Sequence, residues 1–422
     1  MFKKITLDNG LRIITAPQPG NLAVTVLVLV EAGSQYETKD TNGLSHFLEH
    51  MCFKGTKKRP TALQISSELD EMGGSHSAFT GHEYTGYYVK AESKNLDKIM
   101  DIISDMYLNP LFDAKEIDRE KGVIIEEINM NEDDPQRDIW DVFTKLLYGD
   151  QPSGWNIAGP RENIRKLTRE DFISYRDKHY LADSTIVVVA GSFDEKEVVG
   201  KVSAAFKDIP KNEKGGRPRT LEAQKKPEVS IKHKASDQIH TILGFRTFDI
   251  FDKRRYALEV MSAVLGAGMS SRLFHKVRER LGAAYYVRAG NDFYTDHGYF
   301  AIAAGLNKEK LEAALTAMLD ELRRIKEELV PASELNKVKN HIAGNLVLGL
   351  ETSNAVASFY GDQEVLEKKI VTPHELLKRI NAVTAEDVRN VARAIIKNEG
   401  MNLATIGPVE DKGKLETILK ID

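Results

Sequence analysis

The chain has 422 residues, enough for two or three domains, and its 41% hydrophobic and 29% charged residues indicate a folded protein. A formal net charge of -4 excludes the overall basic excess expected of a nucleic-acid-binding protein. The one cysteine cannot form an internal disulfide, and no apolar run approaches the roughly 18 residues of a membrane span, so we expect a cytoplasmic protein without membrane or nucleic-acid partners.

Strand-like segments open the chain. ITLDNGLRIITA (5–16) and AVTVLVLVEAG (23–33) are rich in β-branched residues and are separated by turn residues. Further along, AFTGHEYTGYYV (78–89) alternates as a half-buried strand does. An ordinary strand explains this last pattern without any functional role.

Between these strands the chain reads HFLEH, with His46, Glu49 and His50 in five consecutive residues. On a helix, residues four apart lie about 40° from each other, so the two histidines share one face. A catalytic zinc takes such imidazoles, a further protein ligand and an open position, next to a carboxylate that accepts a proton. Because chance would give only about 0.02 such motifs in this chain, HFLEH predicts a metal site with Glu49 as the base.

A glutamate-rich helix is predicted over residues 113–135 and could supply the third ligand. Glu120 and Glu127 are seven residues apart and fall within about 20° of each other, while Glu126 is rotated by about 100° from Glu127. Glutamate-rich helix faces usually lie in solvent. From the residues alone, the choice between Glu120, Glu126 and Glu127 stays open.

The composition of the chain changes once, where Lys, Pro and Gly replace periodic apolar residues over 206–228. We therefore predict an N-terminal domain over 1–212, a linker over 213–228 and a C-terminal domain over 229–422.

The two halves also echo each other. LTREDF (167–172) and TIVVVAGSFD (185–194) return as VTAEDV (383–388) and NLATIGPVED (402–411), at one common offset. This indicates a duplicated domain rather than a short-period repeat.

Each half opens with strands, continues through amphipathic helices and returns to a strand. The fold class predicted is α+β, with two homologous domains that each pack a mostly antiparallel β-sheet against helices. The second-half segment comparable to HFLEH, YALEVMSAVLGAG (256–268), has no histidine. Only the first domain is therefore expected to bind a metal.

The segment HFLEHMCFKGT (46–56), followed by the glutamate helix, resembles the inverzincin zinc metallopeptidases, the family that includes pitrilysin, insulin-degrading enzyme and mitochondrial processing peptidase. The resemblance covers nearly the whole chain and extends to the segments LDNGLRI, AGSQYE, AFTGHEYTGYY, DREKGVIIEEI, VVVAGSF and GAGMSSRLFHKVRERLGAAYYV. It implies that His46, His50 and Glu127 bind one zinc per chain, with Glu49 as general base. It also implies that Glu120 is a carboxylate supporting a ligand.

For the second half, the resemblance implies that Arg278 and Tyr285, within VRERLGAAYYV, act on the substrate. Both side chains donate hydrogen bonds and could hold a peptide carbonyl and its oxyanion. Without the resemblance, a helix-end arginine and a packed tyrosine need no function. It further implies that an extended substrate adds to an edge strand along Ala78, Phe79 and Thr80.

The function predicted is that of a zinc metalloendopeptidase that hydrolyses extended or unfolded peptides within an enclosed chamber, in a processing-peptidase-like clamshell homodimer. A non-catalytic scaffold subunit is one alternative, and it predicts damaged zinc ligands, whereas all are intact here. A processing subunit that needs a different partner chain is the other.

Overall fold

The computed structural model describes residues 2–421. The first half of the chain contains β1 (Lys3–Thr6), β2 (Arg12–Pro17), β3 (Ala23–Val30), α1 (Leu44–Met51), α2 (Ala62–Glu71), β4 (Ser75–Thr80), β5 (Thr85–Glu92), α3 (Leu96–Leu108), α4 (Ala114–Asp133), α5 (Pro135–Tyr148), α6 (Arg161–Lys166), α7 (Arg169–His179), β6 (Thr185–Gly191) and α8 (Glu195–Ala205).

The second half contains β7 (Glu228–His233), β8 (Gln238–Thr247), α9 (Arg255–Gly266), β9 (Ala284–Phe293), β10 (Gly298–Asn307), α10 (Leu311–Glu327), α11 (Ala332–Gly349), α12 (Ser353–Glu367), α13 (Pro373–Ala382), α14 (Ala385–Ile395), β11 (Asn402–Gly407) and α15 (Lys412–Ile418). A π-helix over Phe274–Arg280 precedes β9. Among the described residues, no helix is both long and apolar enough to cross a membrane.

The strands form two sheets, of six strands in the order β1-β2-β6-β3-β5-β4 and of five in the order β7-β11-β8-β10-β9. Among the described strands, only β2 with β6, and β7 with β11, pair in parallel. Every other pairing is antiparallel. Helices surround both sheets, so the predicted α+β class is confirmed.

The strand order of the second sheet repeats that of the first, since β2, β6, β3, β5 and β4 occupy the positions of β7, β11, β8, β10 and β9. Equivalent local features recur as well. Thr168 and Thr384 each begin a helix with a capping box. Gly191 and Gly407 each end a strand with a positive φ, of 117° and 152°. The domain duplication predicted from the sequence is confirmed.

The chain divides into two compact units that are discontinuous in sequence. Unit 1 comprises the residues up to Asn129, Trp155–Pro218 and Val347–Thr372; unit 2 comprises Met130–Gly154, Arg219–Leu346 and the residues from Pro373 onward. Unit 1 therefore includes α12 from the second half of the chain, and unit 2 includes α5 from the first. The boundaries 1–212, 213–228 and 229–422 stay predictions, and no sequence pattern indicated this exchange of helices.

In unit 1 both faces of the sheet are covered. One face shares a core with α1, α3, α4, α7 and α8, in which Val26 and Val28 lie with Phe47 and Phe172. The other face shares a smaller core with α12. Helix α1 is thereby fixed beside the edge strand β4, and this position determines the site described below.

Unit 2 is built in the same way. One face of its sheet shares a large core with α9, α10 and α14. The other face packs against α5, where Phe143 and Leu147 lie in one cluster with Ile242 and Ile406. Each unit is thus a sheet between two helical layers, one of which is a single helix from the other half of the chain.

Candidate active site

Gly43 immediately precedes helix α1; its φ is +102°, and a Cβ at this position would lie 2.6 Å from the carbonyl oxygen of Ala158. The buried Glu37 carboxylate accepts the first backbone N–H groups of the helix, from Gly43 at 2.9 Å and Ser45 at 2.6 Å. Burial raises the pKa of Glu37 to about 7 in spite of these bonds. The apolar face of α1 lies in the core through Leu44, Phe47, Leu48 and Met51. The remaining face carries the polar residues of HFLEH.

Three side chains on that side converge. The Nε2 atoms of His46 and His50 each lie 3.5 Å from Glu127 Oε2. Ligand atoms of the three residues all lie within 4.8 Å of one another, and among the described residues this is the group suited to a metal ion. A tetrahedral zinc with bonds of 2.0–2.2 Å separates neighbouring donors by about 3.4 Å. The donor set therefore fits zinc, and the 51% exposed side chain of Glu127 leaves the group open to solvent.

The three glutamates of α4 have different surroundings. Glu127 faces the histidines, and Glu120 is buried with Oε1 at 2.9 Å from His50 Nδ1. Glu126 is exposed and accepts a hydrogen bond from Asn129 at 3.3 Å. The rotation of the helix thus brings Glu127, and not Glu126, next to the two histidines, and Glu127 as the third ligand stays a prediction.

Lys54 also contacts the site, although it was not among the residues predicted from the sequence. Its Nζ lies 2.6 Å from Glu120 Oε2. The lysine follows α1 in a turn, and the next residue, Gly55, has a φ of +131° and would place a Cβ 2.5 Å from Pro60 O. The only sequence signal was its position inside HFLEHMCFKGT, because the helical spacing of α1 does not extend to this turn.

Glu49 is held by a strand rather than by its own helix. Thr80 Oγ1, at the end of β4, donates a hydrogen bond of 2.6 Å to Glu49 Oε2. Burial raises the pKa of Glu49 above its ordinary value. The general base expected from the motif therefore lies beside the histidines in a fixed orientation.

The segment expected to receive substrate forms an edge strand, since β4 pairs only with β5 among the described strands. Ala78 packs against the core of unit 1, and Phe79 contacts the Tyr84 ring edge-on at 5.8 Å. Of the three residues named for this role, Thr80 is the one in contact with the site.

Charge around the ligand set favours a cation. Burial alone would lower the pKa of His46, but the hydrogen bond and charge of Glu127 outweigh it and raise that pKa. The bond from His46 in turn lowers the pKa of Glu127. Burial would raise the pKa of Glu120, but the bonds from His50 and Lys54 lower it. Zinc binds the neutral form of an imidazole, so protonation of His46 and metal binding would compete.

Arg278 and Tyr285 lie in unit 2. Arg278 is in the π-helix, with its guanidinium 4.6 Å from the centroid of the Phe274 ring. π-Helical turns are rare and are frequent at functional sites. Tyr285 lies on the edge strand β9, the counterpart of β4, and is 75% exposed. The two side chains stay candidates for substrate binding.

Comparison with known proteins agrees with this description. Residues 12–161 match the family described as Insulinase (Peptidase family M16), and residues 166–342 match the Peptidase M16 inactive domain. The chain is 36% identical to an uncharacterized zinc protease of Streptomyces coelicolor, over 97% of this chain and 90% of the relative. It is 34% identical to the uncharacterized zinc protease YmxG of Bacillus subtilis, over 97% of this chain and 98% of the relative.

Solved structures share the fold. A protease from Helicobacter pylori superposes with a TM-score of 0.90 at 23% identity, covering 97% of this chain and 99% of that one. A peptidase M16 inactive domain from Pseudomonas fluorescens gives 0.88 at 18% identity, covering 97% and 98%.

The match over residues 12–161 contains all three candidate metal ligands, His46, His50 and Glu127, and the match over 166–342 contains none of them. The first contains HFLEH and the glutamate helix, and the inactive-domain match covers a region without a comparable group among its described residues. The resemblance drawn from the sequence is confirmed: the chain belongs to peptidase family M16, the insulinase family.

Proposed function

We propose that this protein is a zinc-dependent endopeptidase that hydrolyses peptide bonds of extended or unfolded peptides. The observation that carries the proposal is the convergence of His46 and His50 on Glu127, with Glu49 fixed next to them. The relatives in Streptomyces coelicolor and Bacillus subtilis are named zinc proteases, which supports one zinc per chain here.

His46, His50 and Glu127 would hold a zinc ion, which would supply Lewis acidity and lower the pKa of a water molecule. Glu49 then accepts a proton from the attacking water and passes it to the nitrogen of the leaving peptide. Its raised pKa suits a group that must both accept and donate. Thr80 keeps one carboxylate oxygen of Glu49 occupied, so the other oxygen is the one available for the proton.

The substrate adds as an extended strand to the outer edge of β4, along Ala78, Phe79 and Thr80. Backbone hydrogen bonds at a strand edge do not involve the side chains of the substrate. Peptides of many sequences can therefore bind, which suits unfolded substrates. Arg278 and Tyr285 hold a substrate carbonyl and stabilise the oxyanion.

We further propose that the protein works as a homodimer with an enclosed chamber, in the cytoplasm. The scaffold alternative is disfavoured because the metal-binding residues and the base are all present and grouped. The alternative of a different partner chain is distinguished by testing the purified chain alone.

Replacing Glu49 by glutamine tests the proposal, because the amide cannot take a proton while its size is retained. The wild-type chain should contain about one zinc and should cleave an unfolded, internally quenched peptide. The Glu49→Gln variant should keep the metal and lose activity by about 10²–10⁴-fold. Glu126→Gln, at an exposed glutamate, is the matched control and should behave as wild type. Near-normal turnover in Glu49→Gln would contradict the general-base role.

A further inference from the structure

A chain of three side chains extends from the ligand set into the protein. His50 Nδ1 lies 2.9 Å from Glu120 Oε1, and Lys54 Nζ lies 2.6 Å from the other oxygen, Oε2. Each carboxylate oxygen of Glu120 thus has its own partner. The geometry requires Nδ1 of His50 to carry the proton, which leaves Nε2 to face Glu127.

The other histidine has no equivalent support. His46 Nδ1 is buried, and among the described residues it has no hydrogen-bond partner. The orientation of the two imidazoles toward Glu127 therefore depends on the hydrogen bond between His50 and Glu120. A metal-binding histidine is normally fixed by a hydrogen bond from its second nitrogen.

Glu120 needs a cation to keep this position. Its side chain is 3% exposed, and a buried carboxylate without a compensating charge is strongly disfavoured. Lys54 is the cation in contact with it, and the lysine side chain is itself only 26% exposed. Removal of the Lys54 charge leaves Glu120 free to turn away from His50 toward water.

The backbone holds Lys54 in place. Its N–H bonds to Met51 O at 3.2 Å, so the turn continues directly from α1. After the positive φ of Gly55, Thr56 N–H bonds to Arg59 O at 2.8 Å. The buried Arg59 forms ion pairs with Glu68, Asp101 and Asp105. The lysine therefore extends from a fixed turn to one end of Glu120.

We infer that Lys54 is a positioning residue for the metal site, which acts through Glu120 to hold His50 in the orientation that binds zinc. The inference rests on the zinc site of the proposed function and extends it to a residue outside the ligands and the base. Among the described residues, no hydrogen bond or ion pair joins Lys54 to His46, Glu127 or Glu49, and its contact with the site is the ion pair with Glu120.

The test is equilibrium zinc affinity, measured by competition with a chromophoric chelator and without any substrate. Lys54→Met should weaken zinc binding by roughly 10-fold, at the lower end of the effect of changing a residue that supports a ligand. Lys54→Arg should recover most of the affinity, because a guanidinium can also donate to Glu120. Lys201→Met is the matched control, since Lys201 pairs with Asp97 at 2.5 Å, outside the site and the turn that holds Lys54, and should leave affinity unchanged.

A double variant distinguishes positioning from a general loss of stability. Once Glu120→Gln has removed the carboxylate, adding Lys54→Met should weaken zinc binding no further. Additive losses, or unchanged affinity in Lys54→Met, would overturn the inference while the zinc site itself stands. Absence of zinc binding in the wild-type chain would instead overturn the proposed function and the inference together. If Lys54→Met does not fold, Lys54→Gln, which also removes the charge, takes its place in both comparisons.

Discussion

Neighbouring glutamates on α4 differ in surroundings because a helix turns by about 100° per residue. Glu127 lies 3.5 Å from both histidines, whereas Glu126 points to solvent and bonds to Asn129. The same carboxylate chemistry therefore has different consequences at two adjacent positions.

Substitution of these two residues tests the ligand assignment. Glu127→Gln should reduce bound zinc strongly, because an amide is a poor replacement for an anionic ligand, and Glu126→Gln should retain one zinc per chain. Metal content after dialysis, measured by atomic emission, checks both variants. Loss of zinc in the Glu126 variant alone would refute the assignment.

Some residues of the site could be predicted from the sequence and others could not. His46 and His50 follow from a spacing of four within one helix, which is local information. The bond from Thr80 to Glu49 and the bond from Lys54 to Glu120 join different elements. No spacing rule predicts such contacts, because they depend on how α1, α4 and β4 pack.

At the scale of elements, α7 supports α1. The rings of Phe47 and Phe172 meet edge-on at 4.9 Å, and Ser45 shares a hydrogen bond of 2.7 Å with Tyr175. His179 ends α7 with its ring 4.5 Å from that of Tyr175. Burial, with Lys178 and Lys214 nearby, lowers the pKa of His179 to about 4.

His179 should make stability depend on pH. It stays neutral in the folded chain down to about pH 4, whereas an unfolded histidine takes up a proton near pH 6.5. The unfolded state binds more protons in this window, so the stability present above pH 6.5 is lost as the pH falls toward 4, by up to about 3 kcal/mol.

Urea unfolding of the metal-free chain between pH 7 and 4 measures this loss. His179→Gln should flatten the decline, and His374→Gln, at an exposed histidine, should not. An unchanged slope in His179→Gln would show that other groups cause the decline.

The strands and caps of each half were predictable because their signals are local, as with Thr168 and Thr384. The exchange of α5 and α12 between the two halves could not be predicted in this way. A helix with an apolar face must pack that face against other residues, but its own sequence does not determine which sheet it covers. Tyr360 of α12 shares a core with Leu27 and Val188, which lie far away along the chain.

At the scale of the whole molecule, the proposed homodimer makes a prediction about mixed subunits. We expect each zinc site to work with Arg278 and Tyr285 of the partner chain, and a twofold dimer would then hold two equivalent sites. Glu49→Gln chains and Arg278→Ala/Tyr285→Phe chains should each be inactive. After subunit exchange at equal amounts, about a quarter of wild-type activity should return, since half the dimers are mixed and each has one complete site.

Mass spectrometry of the mixture must show that mixed dimers formed. If mixed dimers form but have no activity, the hypothesis that each active site is built from two chains is wrong. If the wild-type chain is active as a strict monomer, the premise that the protein works as a homodimer is wrong.

The helix exchange also determines when unit 1 can finish folding during synthesis. Its last strand, β6, ends at Gly191, but α12 begins about 160 residues later, a delay of roughly 8–32 s at usual translation rates. Throughout that interval the sheet face formed by Ile14, Leu27, Leu29, Ile186 and Val188 has no helix to cover it. The nascent chain therefore exposes an apolar sheet face while it is still on the ribosome. We expect unit 1 to depend on chaperones until α12, its last helix, has emerged.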